Sequence, residues 1–134
     1  MTTLLYVAPV LGLCALVFAG MQAQRVHAAE AGNDRMKEIA GAISEGAHAF
    51  LFSEYRILVV FVAILFIAIG LGLGSWTTAI AFVVGALFST LAGYFGMTVA
   101  TKANVRTTNA AMTSGMNRAL QIAFAGGSVM GMCV

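Results

Sequence analysis

The fold is decided by Ile57–Thr101, an uncharged run that reads ILVVFVAILFIAIGLGLGSWTTAIAFVVGALFSTLAGYFGMTVAT and is bounded by Arg56 and Lys102. A charged side chain at the centre of a bilayer costs about 2.5–3.5 kcal/mol, which explains why lipid-embedded helices exclude such residues. The complete chain has 134 residues, of which 60% are hydrophobic and 9% are charged. A soluble domain carries about 25% charged residues. The sequence therefore predicts an all-α, polytopic helical membrane protein.

This run is long enough for two membrane crossings. As one helix it would reach about 68 Å, roughly twice the thickness of the hydrocarbon core. The segment GLGLGS at positions 70–75 places three glycines at alternating positions, a pattern that breaks helices. Trp76 follows at a position typical of the interfacial aromatic belt. We expect one span at about 55–72 and another at about 76–101.

Two further apolar stretches lie near the chain ends, at about 2–23 and 119–134. The first is long enough to span a bilayer, and Pro9 could kink it near its start. A cleaved signal peptide is the alternative, but the first five residues lack the basic region that it requires. Positions 119–134 are too few to cross comfortably, so we interpret them as the start of a fourth span in a piece of a larger multi-helix protein. A short interfacial tail is the alternative.

The polar region at 24–56 contains all five acidic residues. From about 34 to 54 its apolar residues recur at helical spacing, which predicts an amphipathic cytoplasmic helix that continues into the second span. The segment 102–117 is rich in Thr and Asn, and Thr113 or Ser114 is expected to cap the fourth helix.

The basic residues predict the orientation. If the first three spans alternate, all seven Lys and Arg residues fall on one side of the membrane, and the hairpin at 71–76 on the other side has none. The seven are Arg25, Arg35, Lys37, Arg56, Lys102, Arg106 and Arg118. Cytoplasmic loops carry an excess of Lys and Arg. We therefore expect positions 24–56 and 102–118 in the cytoplasm and the N-terminus outside. A net charge of +2 gives no reason to expect a nucleic-acid partner.

Two groups of polar residues could carry chemistry. Glu45 and His48 have the Glu-x-x-His spacing of di-iron bundles, but such a site needs a second copy and two more carboxylates, so a polar interfacial face is favoured. Lys102 and Arg106 share a helix face and could attract a phosphate; their place at the end of a span favours membrane anchoring instead. Cys14 and Cys133 lie in apolar segments and are interpreted as small buried hydrophobes.

Small residues recur every fourth position along two spans. The rows are Ala81, Gly85, Ser89 and Gly93 in the third span, and Gly127 and Gly131 in the fourth. Small-x-x-x-small rows let helix backbones approach closely in lipid, so each row predicts a tight helix neighbour. No charged residue lies deep in any span, and such residues usually mark an ion pathway. These residues alone do not indicate a reaction.

Three stretches carry a resemblance. The first contains EIAGAISEGA at 38–47, AFL at 49–51 and EY at 54–55. The second contains GYFGM at 93–97 and ATKANVRT at 100–107, and the third is FAGGSVMG at 124–131. In this order they resemble the N-terminal region of membrane-bound, ion-translocating inorganic pyrophosphatases. The first 35 residues match only in character.

The resemblance implies a homodimeric pump that hydrolyses pyrophosphate with Mg²⁺ on the cytoplasmic side and exports protons, sodium ions or both. The resemblance also implies a subunit of roughly sixteen helices, an all-helix architecture of the kind that lipid demands. The first four belong to an outer ring, and the residues that bind metal and substrate lie on later helices. No catalytic, cofactor-binding or metal residue is therefore assigned here, and the fragment alone is expected to be inactive. A requirement for K⁺ or Na⁺ stays open, and a prokaryotic plasma membrane is the expected location.

Two other functions stay open at this point. One is a small, complete, non-catalytic membrane scaffold or accessory subunit. The other is a different transporter that shares the glycine-rich style of its helices.

Overall fold

The computed structural model describes residues 2–134, with side chains from Tyr6 onward, as four helices joined by short connections. Their bounds are Thr2–Ala28 for α1, Asp34–Gly72 for α2, Trp76–Thr113 for α3 and Met116–Cys133 for α4. Helices α1 (from Tyr6), α2 and α3 are long and apolar enough to cross a membrane. The predicted fold class, a helical membrane protein, is thus confirmed. The assignment of α4 to the start of a fourth span stays a prediction.

Helices α2 and α3 are longer than a bilayer requires. At 39 and 38 residues they extend about 58 and 57 Å, against a hydrocarbon core of about 30 Å. In α2 the polar part and the apolar part form one continuous helix, as the sequence predicts. Asn33 caps its N-terminus, with Oδ1 accepting a 2.9 Å hydrogen bond from the Met36 amide. Each helix therefore has room for a membrane span and for a further part outside it.

The hairpin between α2 and α3 lies where the alternating glycines predict it. Helix α2 ends at Gly72, Gly74 has a positive φ of 62°, and Ser75 caps α3 by accepting a hydrogen bond from the Thr78 amide. The indole of Trp76 then folds back onto α2. A Cβ added at Gly70 would lie only 2.7 Å from the Trp76 ring, so the absence of a side chain there permits the tight return.

The Thr-rich segment after Lys102 is mostly helical. Helix α3 continues twelve residues past the expected span end at Thr101 and stops at Thr113. Threonine hydroxyls in its second half donate hydrogen bonds to the carbonyl four residues earlier, which satisfies these polar side chains within the helix. They belong to Thr98, Thr101, Thr108 and Thr113.

The start of α4 differs from the expected cap. Its N-cap is Gly115, with a φ of 84° and no side-chain hydrogen bond, so the prediction of a Thr113 or Ser114 cap is wrong. Ser114 instead ends α3, its amide donating to the Ala110 carbonyl. The reversal of direction requires a backbone conformation that Gly adopts without a steric penalty.

The helices do not pack in chain order. Helix α3 lies between α2 and α4, and α1 packs mainly on α4, with a small contact to α3. Over the described part of the chain, α1 and α2 make no helix contact although they are consecutive. The main buried cluster is small and joins three helices: Ala19, Val26, Val99, Ala103 and Val129. Large hydrophobic side chains such as Ile57 and Phe88 are exposed, as lipid-facing residues are.

Candidate functional site

Polar interactions concentrate at the end of the bundle where α1 ends and α4 begins. There the connection between α1 and α2 crosses the second half of α3. The Arg106 guanidinium donates through Nε to the Ala29 carbonyl at 3.0 Å, and the Asn109 amide donates to the Glu30 carbonyl at 3.2 Å. Asn109 is almost fully buried. Two side chains nearly one helical turn apart thus hold the connection between α1 and α2 against α3.

Lys102 and Arg106 have different environments. Arg106 also donates through Nη1 to the Lys102 carbonyl at 2.9 Å, so two of its donors are used within the protein. The Lys102 side chain is exposed. Arg106 is therefore a structural anchor of the loop, which sequence spacing alone did not reveal. Together with Lys37, both cations line a pocket of about 230 Å³ between α2 and α3.

Glu45 and His48 lie on the exposed surface of α2. The His48 Nδ1 atom is 2.8 Å from the Ser44 carbonyl, and because a carbonyl oxygen only accepts, Nδ1 carries the proton. The imidazole also meets the Tyr94 ring edge-on, with ring centroids 6.0 Å apart. His48 thus packs against α3 through its ring and forms a hydrogen bond within its own helix, α2. Across residues 2–134, no group of three or more His, Cys, Asp and Glu side chains could hold a metal ion.

The predicted small-residue rows contact a helix of this chain only in part. A Cβ at Gly93 would lie 3.3 Å from the Tyr55 hydroxyl, whereas one at Gly85, Gly127 or Gly131 would meet nothing within 4 Å. The tight approaches are elsewhere. A Cβ added at Gly96 would lie 2.7 Å from the Met130 side chain. A Cβ added at Gly126 would lie 2.6 Å from the Ala103 Cβ.

A cleft of about 920 Å³ is lined by residues of α1 and α4 at the same end. It combines two arginines and four neutral polar residues with apolar ones: Gln22, Arg25, Ala28, Ala29, Asn117, Arg118, Leu120, Gln121, Ile122, Phe124, Ala125 and Ser128. No acidic residue lines it. A smaller pocket of about 200 Å³ adjoins it and contains Glu30, Arg106 and Arg118. Sequence periodicity did not predict this site, because α1 and α4 are far apart in the chain.

A second groove, between α2 and α3, is almost entirely apolar. Its volume is about 650 Å³, and its lining residues include Tyr55, Val59, Phe66, Val84 and Thr90. The Tyr55 hydroxyl donates to the Thr90 carbonyl at 2.9 Å and closes one end of the groove. Its lining offers surface for apolar groups and no group for acid–base chemistry.

Comparison with known proteins gives one family. The family described as inorganic H⁺ pyrophosphatase matches residues 13–134. A K⁺-insensitive pyrophosphate-energised proton pump of Methanosarcina mazei is 44% identical over the whole chain, which covers 20% of that protein. A K⁺-stimulated pyrophosphate-energised sodium pump of Thermotoga maritima is 42% identical over 97% of the chain, and the match covers 18% of that protein.

A candidate K⁺-stimulated pyrophosphate-energised sodium pump of Clostridium tetani is 53% identical over 90% of the chain and 18% of its own length. The chain therefore spans about a fifth of the length of the curated relatives it matches. These relatives include pumps for both ions.

Proposed function

The chain belongs to the inorganic H⁺ pyrophosphatase family, and from this premise we propose that it forms the first helices of a membrane pump that couples pyrophosphate hydrolysis to outward transport of protons, sodium ions or both. The observation that carries the proposal is the match over 13–134, together with 44% identity to a pyrophosphate-energised proton pump over the full chain. Three helices of membrane-spanning length support it.

Within that pump, this segment is a scaffold and not the catalytic centre. Residues 57–101 contain no acid, and the residues described here offer no cluster of metal-binding side chains. We propose that the carboxylates that would hold Mg²⁺ and pyrophosphate belong to helices outside this fifth of the protein. In metal-assisted hydrolysis the ion stabilises the charge that develops on the phosphoryl oxygens, and no residue of this chain is assigned to that step.

The proposed pump is a homodimer in a prokaryotic plasma membrane, with the N-terminus and the hairpin at 71–76 outside. The distribution of all seven basic residues supports this orientation, because they flank the span ends that lie opposite the hairpin, and cytoplasmic loops carry an excess of Lys and Arg. K⁺ stimulation is proposed as a property that the remainder of the protein sets, since the relatives matched here differ in it.

The test uses the complete protein in inverted membrane vesicles. Magnesium and pyrophosphate should drive proton or sodium uptake into the vesicle lumen, and a protonophore or a sodium ionophore should collapse the corresponding gradient. Residues 1–134 expressed alone should hydrolyse no pyrophosphate. If the complete protein neither hydrolysed pyrophosphate nor transported either ion, a non-catalytic scaffold would replace the pump as the interpretation.

A further inference from the structure

We propose that the cleft between α1 and α4 binds the headgroup of an anionic phospholipid, with Arg25 and Arg118 holding its phosphate. This site is separate from the proposed hydrolysis and depends only on the membrane location of the helices. The cleft is a built feature of this segment, formed by two helices whose contact the chain order does not suggest.

The depth of the cleft in the membrane fits a headgroup. Arg25 lies two residues beyond the expected first span at 2–23, and Arg118 lies one residue before the stretch at 119–134. Both arginines thus lie at the level where hydrocarbon gives way to polar headgroups. Phe124 and Ala125 line the same cleft one to two turns further along α4. The basic charge thus lies at one end of the cleft and apolar surface follows it along α4, while Ser128 beyond them donates its hydroxyl to the Ala125 carbonyl. A phospholipid has the same order of phosphate and acyl chain.

The two guanidinium groups have no acidic partner in the cleft. Arg25 donates through Nη1 to the Gln22 side chain at 3.3 Å, and Arg118 donates to the Gln121 side chain at 3.2 Å. Both acceptors are neutral amides, so the positive charges are not compensated. Glu30 lines only the adjoining small pocket and forms no ion pair within the described residues. The two ion pairs among the described residues lie away from the cleft, at the start of α2, where Arg35 pairs with Glu38 and Lys37 pairs with Asp34.

The chemistry of these groups selects an anionic phosphate. Arginine binds phosphate through two parallel N–H donors, and basic pockets between membrane helices on the cytoplasmic side accommodate anionic headgroups. The N-terminus of α4 adds to the attraction, because Gly115 provides no side-chain cap and leaves the amides of its first turn without a side-chain acceptor. A soluble anion would use only the polar end, whereas the apolar lining favours an amphipathic ligand.

Native mass spectrometry of the delipidated full-length protein tests the site. We expect dioleoylphosphatidylglycerol to bind more tightly than dioleoylphosphatidylcholine. The double variant Arg25→Gln with Arg118→Gln should lose about fivefold in affinity per arginine, roughly 10- to 30-fold in all. Arg35→Gln with Lys37→Gln removes the same charge away from the cleft and should bind as the wild type does. Arg25→Lys with Arg118→Lys should recover most of the affinity, because the charges are kept.

Several results would overturn the proposal. One is equal affinity for the two lipids, and another is unchanged phosphatidylglycerol binding in the Gln double variant. A third is a rise in melting temperature with inorganic phosphate or pyrophosphate that matches the rise with phosphatidylglycerol, since the ligand would then be a soluble anion. A fourth is a lower melting temperature of the Gln double variant than of its charge-matched control in lipid-free detergent, because another part of the protein would then fill the cleft.

Discussion

Gly126 on α4 lies directly against Ala103 on α3: a Cβ added at Gly126 would be 2.6 Å from the Ala103 Cβ. Both residues are buried. In lipid, helices associate largely through close van der Waals packing, which small residues permit. This contact holds the two helices that interact most extensively in the segment.

Gly126→Ala should therefore lower the stability of the full-length protein by about 1–2 kcal/mol, because overpacking costs more than the gain in helix propensity. Thermal unfolding in detergent measures the loss. Gly46→Ala is the control, since Gly46 is exposed in α2 with nothing within 4 Å of an added Cβ. Moving the methyl group, in Gly126→Ala combined with Ala103→Gly, should restore most of the stability. An unrestored double variant would contradict the contact.

Tyr55→Phe removes the hydrogen bond from the Tyr55 hydroxyl to the Thr90 carbonyl. We expect a loss of about 0.5–1 kcal/mol, because interhelical hydrogen bonds in membranes average only about 0.6 kcal/mol. Tyr94→Phe is the matched control, since the Tyr94 hydroxyl has no hydrogen bond among the described residues while its ring packs on His48. Equal melting temperatures for the two variants would show that the bond contributes nothing measurable.

Arg106→Gln should loosen the connection between α1 and α2. Loss of one net hydrogen bond, worth about 1 kcal/mol, should raise the hydrogen-exchange rate of residues 29–33 about fivefold. Asn109→Leu, which removes the bond to the Glu30 carbonyl, should have a similar effect on the same segment. Lys102→Gln changes an exposed charge one turn away and should leave the exchange unaltered. If residues 29–33 exchanged at the same rate in all three variants, the anchoring role would be refuted.

The orientation can be tested by labelling single cysteines after Cys14 and Cys133 are replaced by alanine. Arg35→Cys and Thr108→Cys should react with an impermeant maleimide only from the cytoplasmic face. Ser75→Cys should react only from outside, because it lies in the hairpin between two helices of membrane-spanning length. Labelling of Ser75→Cys from the same face as the other two would disprove the topology.

Gly127→Leu tests whether this segment supports further helices. Gly127 is exposed, and a Cβ added there would have nothing of this chain within 4 Å. If the proposed scaffold is correct, this variant should lower the yield of assembled full-length protein several-fold in size-exclusion chromatography. Val59→Leu, on the bulky exposed part of α2, is the control for a residue that faces lipid. Normal assembly of Gly127→Leu would mean that its face meets lipid too.

Sequence reasoning predicted the helical membrane class and the break at 73–75, because the exclusion of charge and the alternating glycines are strong local signals. It predicted a span at about 76–101 but not where the helix itself would end, since hydrophobicity does not show that Thr108 and Thr113 satisfy their hydroxyls on their own helix. It also chose small-residue rows from spacing alone. Spacing does not distinguish Gly127 from Gly126, yet only Gly126 contacts a neighbouring helix of this chain.

The arginine cleft and the burial of Asn109 could not be predicted from a local pattern. Both depend on which helices become neighbours, and here the first helix packs on the last. The spacing of Lys102 and Arg106 did indicate a polar helix face. It did not indicate that Arg106 would bind the carbonyl of a residue 77 positions earlier.

The contact between α1 and α4 also has a consequence for biosynthesis. From the end of α1 at Ala28 to the start of α4 at Met116, 87 residues must be translated, which takes roughly 4–17 s at about 5–20 residues per second. During that interval the packing surface around Ala19 and Val26 has no α4 to receive it. The nascent first helix must therefore remain in the lipid or beside the insertion machinery without its main packing partner. The four-helix unit is completed only after α4 has been synthesised and α1 packs against it.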